Sequence, residues 1–278
     1  MAEIVGGIGI SHVPSLARVV EQDRPEAGGA NHFSAFRDVG TWLADRNPDV
    51  LIVIYNDHGS ALSLETVPTF TIGVAPSYLP ADEGRGRRPV PTFPGAPELS
   101  WDIVDSLVPE GFDLTVCQRL DVDHGLSEPL VTLFGDVEEW PVRIVPIAVN
   151  VVQQPTPTAQ RCFDLGRAIG RAVASAPVDS RVVVIGTGGM SHQLQGQRAG
   201  HINSEFDQMF LDKIVDDPGA LTALSNIEYI DLAGSEGAEL VMWLVMRGAL
   251  SENVSATHRG YRVPVSSTAA GIIALENL

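Results

Sequence analysis

Residues 50–58 read Val-Leu-Ile-Val-Ile-Tyr-Asn-Asp-His. The first six form a continuous apolar run rich in β-branched side chains, and polar residues end it. A strand that is apolar on both of its faces is typical of a sheet covered by helices on both sides. The segment therefore predicts a buried strand over 50–55 that is followed at once by His58.

Segments of the same character recur along the chain and alternate with segments of helical spacing. Further strands are predicted at 4–10, 70–74, 114–118, 142–152 and 181–185. Apolar residues three or four apart predict helices around 33–43, 101–107 and 163–173, and further helices are predicted at 204–216, 235–247 and 268–275. This alternation predicts an α/β fold, with a central, mostly buried sheet flanked by helices, in a single domain over residues 1–278.

Residues 76–97 are different, because they contain six prolines and the three arginines Arg85, Arg87 and Arg88. They predict a long surface loop, which in compact domains is often a lid or a partner surface. The alternative is that the loop only wraps the fold. The arginines could bind the carboxylate of a substrate through a bidentate fork, or they could simply be solvated.

Composition excludes several classes of protein. The formal net charge of −17 argues against a nucleic-acid partner, so that any site for an anion has to be local. Cys117 and Cys162 are the only cysteines, which excludes a disulfide scaffold and predicts reduced packing residues. The N-terminus lacks the features of a signal peptide, and no apolar run is long enough to span a bilayer. We expect a soluble, cytoplasmic protein.

Four of the seven histidines follow β-like runs at short range, namely His12, His58, His124 and His192. In α/β sheets, ligands bind in the crevice outside the carboxyl ends of the strands. The four side chains are therefore predicted to converge on one site at strand C-terminal ends. The other histidines, His32, His201 and His258, are interpreted as structural or surface residues.

Two glutamates precede an apolar helical segment at 240–246. Glu236 and Glu239 are three residues apart, hence on one helical face. A carboxylate that enters a buried helix is costly unless it is paired or bound to a metal. We interpret Glu236 as a complement to the helix dipole and Glu239 as a metal ligand. Two histidines and one carboxylate are typical of non-haem Fe(II) oxygenases, but zinc hydrolases use similar ligands, so the metal stays open at this point.

Several longer strings carry a resemblance that extends from about residue 4 to residue 275. They are GISHVPSL, IVIYNDHGSA, PADEGRGRRPVPTFPG, DVDHGLSEPL, GTGGMSHQLQG and GSEGAELVMWLVMRGAL. They resemble the class III, or LigB-type, extradiol ring-cleaving dioxygenases, and within that family the catalytic β subunit of protocatechuate 4,5-dioxygenase.

The resemblance implies a role for individual residues. His12, His58 and Glu239 match the family's iron ligands, His192 its acid–base histidine, and His124 a further active-site histidine. Ser266 matches a position near the substrate. Asn56, which lies within the Tyr-Asn-Asp-His motif, is a further candidate for substrate binding.

The resemblance also implies the reaction, which is Fe(II)-dependent cleavage of a dihydroxy-aromatic acid with O₂ beside the diol. Protocatechuate, opened to 4-carboxy-2-hydroxymuconate semialdehyde, is the expected substrate. Gallate, 3-O-methylgallate, another catechol, an aminophenol and a dihydroxypyridine are the alternatives within the family, and a zinc-dependent hydrolase is the remote one outside it. Homo- or hetero-oligomers are expected, with a small α subunit over the active site unless this chain works without one.

Overall fold

A mixed eight-stranded sheet lies at the centre of the computed structural model, which describes residues 1–23, 33–263 and 267–278. Its strands are β1 (Glu3–Ile10), β2 (Val50–Tyr55), β3 (Phe70–Gly73), β6 (Thr115–Cys117), β7 (Arg143–Val149), β8 (Arg181–Thr187), β9 (Val254–Arg262) and β10 (Ala270–Asn277). Two short strands, β4 (Ser77–Tyr78) and β5 (Phe93–Pro94), pair with each other outside it.

The strand order of the large sheet is β6-β3-β7-β2-β8-β1-β10-β9. The four central strands β7, β2, β8 and β1 are parallel to one another. On either side of this group, β3 pairs antiparallel with β7 and β10 pairs antiparallel with β1. The carboxyl ends of the four central strands therefore lie along one edge of the sheet.

Helices cover both faces of the sheet. They are α1 (Leu16–Gln22), α2 (Ser34–Arg46), α3 (Pro97–Leu107), α4 (His124–Phe134), α5 (Ala159–Ser175), α6 (Ser204–Asp216), α7 (Pro218–Thr222), α8 (Asn226–Ala233) and α9 (Val241–Ala249), with a 3-10 helix at Glu236–Leu240. The apolar residues of α1, α2 and α4 form one cluster, and those of α3, α5, α6 and α9 form the other. Among the described helices, none is both long and apolar enough to cross a membrane.

Strand β2 shows why the sequence selects this architecture. All six of its residues are buried, and Leu51, Val53 and Tyr55 pack into one apolar cluster while the alternate residues pack into the other. Successive side chains of a strand point to opposite faces, so a strand that is apolar throughout needs a helical layer on each side. The predicted α/β fold is confirmed.

The helix predicted at 268–275 is wrong, because residues 270–277 form strand β10 between β1 and β9. An apolar run of this length has no periodicity that distinguishes a helix from a buried strand. The backbone of β1 offers a free edge on that side, and the β-branched pair Ile272 and Ile273 fits the buried pleat. Strand β9, which pairs with β10, was not predicted, because its side chains are mostly half-exposed.

The proline-rich loop packs against α4 and the segment that leads into it. Arg87 pairs with Asp121 at 2.7 Å, and Arg88 pairs with the buried Glu128 at 2.5 Å. A parallel bridge also joins Pro80 to Val122. The loop is thus held to the fold at three points.

Candidate metal centre

Three of the predicted histidines come from three adjacent central strands. His12 follows β1, His58 follows β2 and His192 follows β8. Because these strands are parallel neighbours, their carboxyl ends bring the three side chains to the same edge of the sheet.

The carboxylate of Glu239 lies among these three imidazoles. One oxygen is 3.1 Å from Nε2 of His12 and 4.0 Å from Nε2 of His192, and the other is 3.6 Å from Nε2 of His58. Glu239 is only 5% exposed, and the ion pairs found for it in the described part of the chain involve histidines alone. A buried carboxylate without a lysine or arginine partner has the chemistry of a metal ligand.

Two further polar groups hold the Glu239 carboxylate in place. The backbone N–H of Gly189 donates to it at 2.8 Å, and Nδ2 of Asn56 donates at 3.3 Å. Burial alone would raise the pKa of Glu239, but the charge of His12 and its hydrogen bond, together with His58 and His192, hold that pKa well below its usual value. The carboxylate is therefore ionised, as a metal ligand has to be.

The ring orientations of His12 and His58 are fixed from behind. Nδ1 of His12 lies 3.1 Å from the hydroxyl of Thr187, and Nδ1 of His58 lies 2.9 Å from a carboxylate oxygen of Asp123. Each ring thus presents Nε2 to Glu239. Such contacts behind the ring orient metal-binding histidines and set which nitrogen is free.

The electrostatics of His58 follow from its two acidic neighbours. Burial would lower the pKa of His58, but the hydrogen bonds and charges of Asp123 and Glu239 outweigh it and raise that pKa to about 10. The chain without a metal therefore holds a proton on His58 near neutral pH.

His192 has one nitrogen free for chemistry. Its Nδ1 lies 2.7 Å from the carbonyl oxygen of Met190, which can only accept, so Nδ1 carries the hydrogen. In the neutral ring Nε2 is then unprotonated, and it faces Glu239. The adjacent Ser191 is anchored by Asp207, which accepts from both its backbone N–H and its hydroxyl.

His124 reaches the site by a different route from the one the sequence predicted. Strand β6, which precedes it, is parallel to β3 and so runs opposite to the central strands. His124 instead begins helix α4, and its ring stacks on that of His58 with a centroid distance of 4.1 Å. One ring nitrogen from each of His12, His58 and His124 lies within 4.8 Å of the others, so this trio could also hold a metal ion.

The remaining predicted residues are distributed as follows. Asn56 is buried beside Glu239, whereas Ser266 lies outside the described residues. Glu236 accepts from the backbone N–H of Leu194 and from the hydroxyl of Ser235. Arg88, one of the arginines that could bind a substrate carboxylate or be solvated, pairs with Glu128.

The histidines that were interpreted as structural have partners away from the centre, in so far as they belong to the described residues. Nε2 of His201 lies 3.1 Å from the carbonyl oxygen of Leu232, and His258 lies beside Thr257 on β9. His32 falls outside the described ranges. Both cysteines are free, as expected.

Sequence reasoning missed four residues that support the centre: Asp123, Thr187, Glu83 and Asp207. Asp123 stands next to His124 in the chain but binds His58, and it also caps helix α4 by accepting from the N–H of Gly125. An aspartate directly before a helix is a known N-cap signal, which could have identified its structural role. Its contact with His58 depends on the packing of α4 against β2, which the motif does not contain.

Known proteins are similar to this chain in sequence. Residues 6–272 match the family described as the catalytic LigB subunit of aromatic ring-opening dioxygenase. A gallate dioxygenase of Pseudomonas putida is 45% identical over 71% of this chain and 58% of its own length. A 2,3-dihydroxyphenylpropionate/2,3-dihydroxicinnamic acid 1,2-dioxygenase of Photorhabdus laumondii is 28% identical over 66% of this chain and 56% of its own. The chain thus spans somewhat more than half the length of these two relatives.

A solved structure shares the fold. An uncharacterised protein of Escherichia coli K12 superposes with a TM-score of 0.62, at 14% identity, over 97% of this chain and 99% of that one. The family match covers β2, β7 and β8 in full, β1 from residue 6, and every described residue of the centre. The chain belongs to the LigB family of catalytic subunits of aromatic ring-opening dioxygenases, as its motifs predicted.

Proposed function

We propose that the protein catalyses extradiol cleavage of an aromatic acid with vicinal hydroxyl groups, using O₂ and Fe(II). The observation that carries this proposal is the ionised, buried Glu239 carboxylate among three imidazoles. Membership of the LigB family supports the same reaction class.

His12, His58 and Glu239 are the residues that would hold the metal. Their donor atoms approach one another directly, and the carboxylate supplies the negative charge that a divalent cation requires. The trio of His12, His58 and His124 lacks that charge, and Nδ1 of His124 is engaged by Glu83. When bound, Fe(II) with two histidines and one carboxylate supplies open positions at which a diol and O₂ are held together.

His192 acts as the acid–base group in this proposal. Its unprotonated Nε2 faces the centre and accepts a proton from a ring hydroxyl of the substrate. The protonated ring would then be the group that returns this proton to an oxygen atom of the substrate during ring opening. Burial among the residues of the site excludes bulk water from this exchange, since His192 is only 6% exposed.

Among the described residues, we propose that Asn56 binds the substrate. Its Oδ1 is buried without a hydrogen-bond partner in the described part of the chain, while Nδ2 lies 3.1 Å from Nε2 of His58. An unsatisfied buried acceptor beside the centre suits a substrate hydroxyl. Ser266 keeps the predicted role near the substrate on the family resemblance alone.

Gallate and protocatechuate are the two rings that we propose. The relative from Pseudomonas putida is named for gallate, whereas the motifs resemble a subunit that cleaves protocatechuate. The two acids differ by one hydroxyl group, so the same ligands serve both. Oxygen uptake by the Fe(II)-loaded chain is measured with each of the two rings. Because no partner is added, the same measurement tests whether the chain requires the proposed small α subunit.

Metal content and turnover of four variants test the residue roles. We expect His12→Ala, His58→Ala and Glu239→Ala to lose both iron and oxygen uptake, because each removes a ligand. His192→Ala is expected to keep one iron and to lose turnover by about 100- to 10,000-fold, the usual contribution of an acid–base group. Loss of iron in His192→Ala would overturn the assignment, and zinc in place of iron in active protein would overturn the reaction class.

A further inference from the structure

Glu83 of the proline-rich loop makes two contacts with His124. One carboxylate oxygen accepts from the backbone N–H of His124 at 2.8 Å, and the other lies 2.5 Å from Nδ1 of its ring. An ionised carboxylate can only accept, so the imidazole supplies the hydrogen from Nδ1. The pair is charge-assisted and uses both oxygens, which makes its geometry specific.

The contact determines what His124 offers to the centre. With Nδ1 engaged by Glu83, Nε2 is the nitrogen left for the site. The ring is stacked on His58 with an interplanar angle of 25°, and it meets the ring of His12 edge-on at 5.7 Å. His124 is thus held in one orientation beside the two proposed metal ligands.

The loop that carries Glu83 is itself anchored. Arg87 and Arg88 pair with Asp121 and Glu128, which flank His124 in the chain. The turn that follows Glu83 is closed by Asp82, whose carboxylate accepts from the N–H groups of two glycines. Glu83 therefore approaches His124 from a fixed segment of backbone.

A cavity of about 310 Å³ lies beside this pair. It is lined by Pro14, Ser15, Arg18, Glu83, Arg88 and His124. A ligand in this cavity would contact His124. The His124 side chain therefore faces this cavity as well as the protein interior.

We propose that Glu83 is a positioning residue that holds His124 as the tautomer protonated on Nδ1. Nε2 of His124 then presents an unprotonated acceptor to a hydroxyl group of the substrate. The tautomer follows from geometry alone, whereas the hydroxyl partner rests on the proposed function. This gives the proline-rich loop a part in the site without making any of its residues a ligand.

Nitrogen-15 NMR of the imidazoles in the metal-free chain tests the tautomer directly, at a pH at which His124 is neutral. His124→Gln assigns the resonance. In the wild type we expect the hydrogen on Nδ1, and in Glu83→Ala a mixture in which the Nε2-protonated form gains. Asp82→Asn is the matched control, because it removes the same charge one residue away and keeps an acceptor for the turn. An unchanged tautomer in Glu83→Ala, or the same change in Asp82→Asn, would overturn the proposal.

Steady-state kinetics of the Fe(II)-loaded variants test the consequence. We expect kcat/KM for the preferred ring to fall about 10- to 100-fold in Glu83→Ala, the usual cost of removing the partner of an active-site histidine. Iron content should stay at the wild-type level, and Asp82→Asn should keep its kcat/KM. A Glu83→Ala variant as active as the wild type would refute the role. If the wild type cleaves no ring, the proposed function fails, while the NMR result still decides the positioning of His124.

Discussion

His58 is placed between two carboxylates, Asp123 behind its ring and Glu239 in front of it. Because these groups raise its pKa to about 10, a metal ion has to displace a proton from His58 at neutral pH. Metal affinity should therefore rise with pH. Between about pH 6 and pH 8, both below that pKa, we expect the association constant to increase about tenfold per pH unit.

Anaerobic competition against a chelator of known pH dependence measures this association constant. The sign follows from the proton balance, since fewer protons compete for Nε2 as the pH rises through the range. A metal association constant that does not change between about pH 6 and pH 8 would show that no metal-binding residue is protonated in the metal-free chain.

Asp123 offers a second prediction at the same scale. Its buried carboxylate accepts from the ring and from the backbone N–H of His58. We expect Asp123→Asn to weaken metal binding about 10- to 100-fold, because the ring loses the charge that orients it. Asp121→Asn is the control, since Asp121 pairs with Arg87 and not with a histidine. Equal losses in both variants would assign the effect to the loop rather than to His58.

At the scale of elements, helix α9, which follows Glu239 in the chain, packs closely against helix α5. A Cβ added at Gly166 of α5 would lie 2.0 Å from the backbone oxygen of Val245 in α9. We expect Gly166→Ala to lower the free energy of unfolding by about 1–3 kcal/mol or more, because backbone has to move to admit the methyl group. Urea denaturation of the metal-free chain measures this loss.

Gly219 of α7 is the matched control for that substitution. A Cβ there would meet Asp217 at 3.6 Å, which is an ordinary contact. Gly219→Ala should be neutral or stabilising by up to about 1 kcal/mol, since alanine favours a helix. A Gly166→Ala chain as stable as the control would mean that α5 and α9 can separate without cost.

The same scale shows what the sequence can and cannot predict. Apolar runs such as 50–55 identify buried strands because both of their faces are covered, and the polar residues at their ends identify His12, His58 and His192. The direction of β6 and the pairing of β10 depend on which strand edges are free, which is a property of the assembled sheet. For this reason the route of His124 and the strand at 270–277 could not be predicted from local pattern.

The contacts that support the centre could not be predicted from the sequence for a related reason. Asp123 and His58, like Glu83 and His124, are distant in the chain. The first pair meets because α4 packs against β2, and the second because the proline-rich loop packs on α4. The motif specifies the residue types at the centre. The contacts behind each ring, which form only in the packed fold, specify which nitrogen the ring presents.

At the scale of the whole molecule, the proposed ligands lie far apart in the chain. His12 follows β1, His58 follows β2, and Glu239 lies in the 3-10 helix before α9. Only the folded sheet brings them together, so a metal ion that binds these three residues binds the folded state and not the unfolded one. Metal binding and global stability are therefore linked.

This linkage gives the last prediction. At a free metal concentration of about 100 times the dissociation constant, the free energy of unfolding should rise by about 2.7 kcal/mol. His192→Ala should gain as much as the wild type, because it keeps all three ligands, whereas His58→Ala should gain almost nothing at that concentration. Anaerobic denaturation with and without Fe(II) measures the gain in each chain. Equal gains in all three would place the stabilising ion away from His58, and a gain lost only in His192→Ala would exchange the roles assigned to the two histidines.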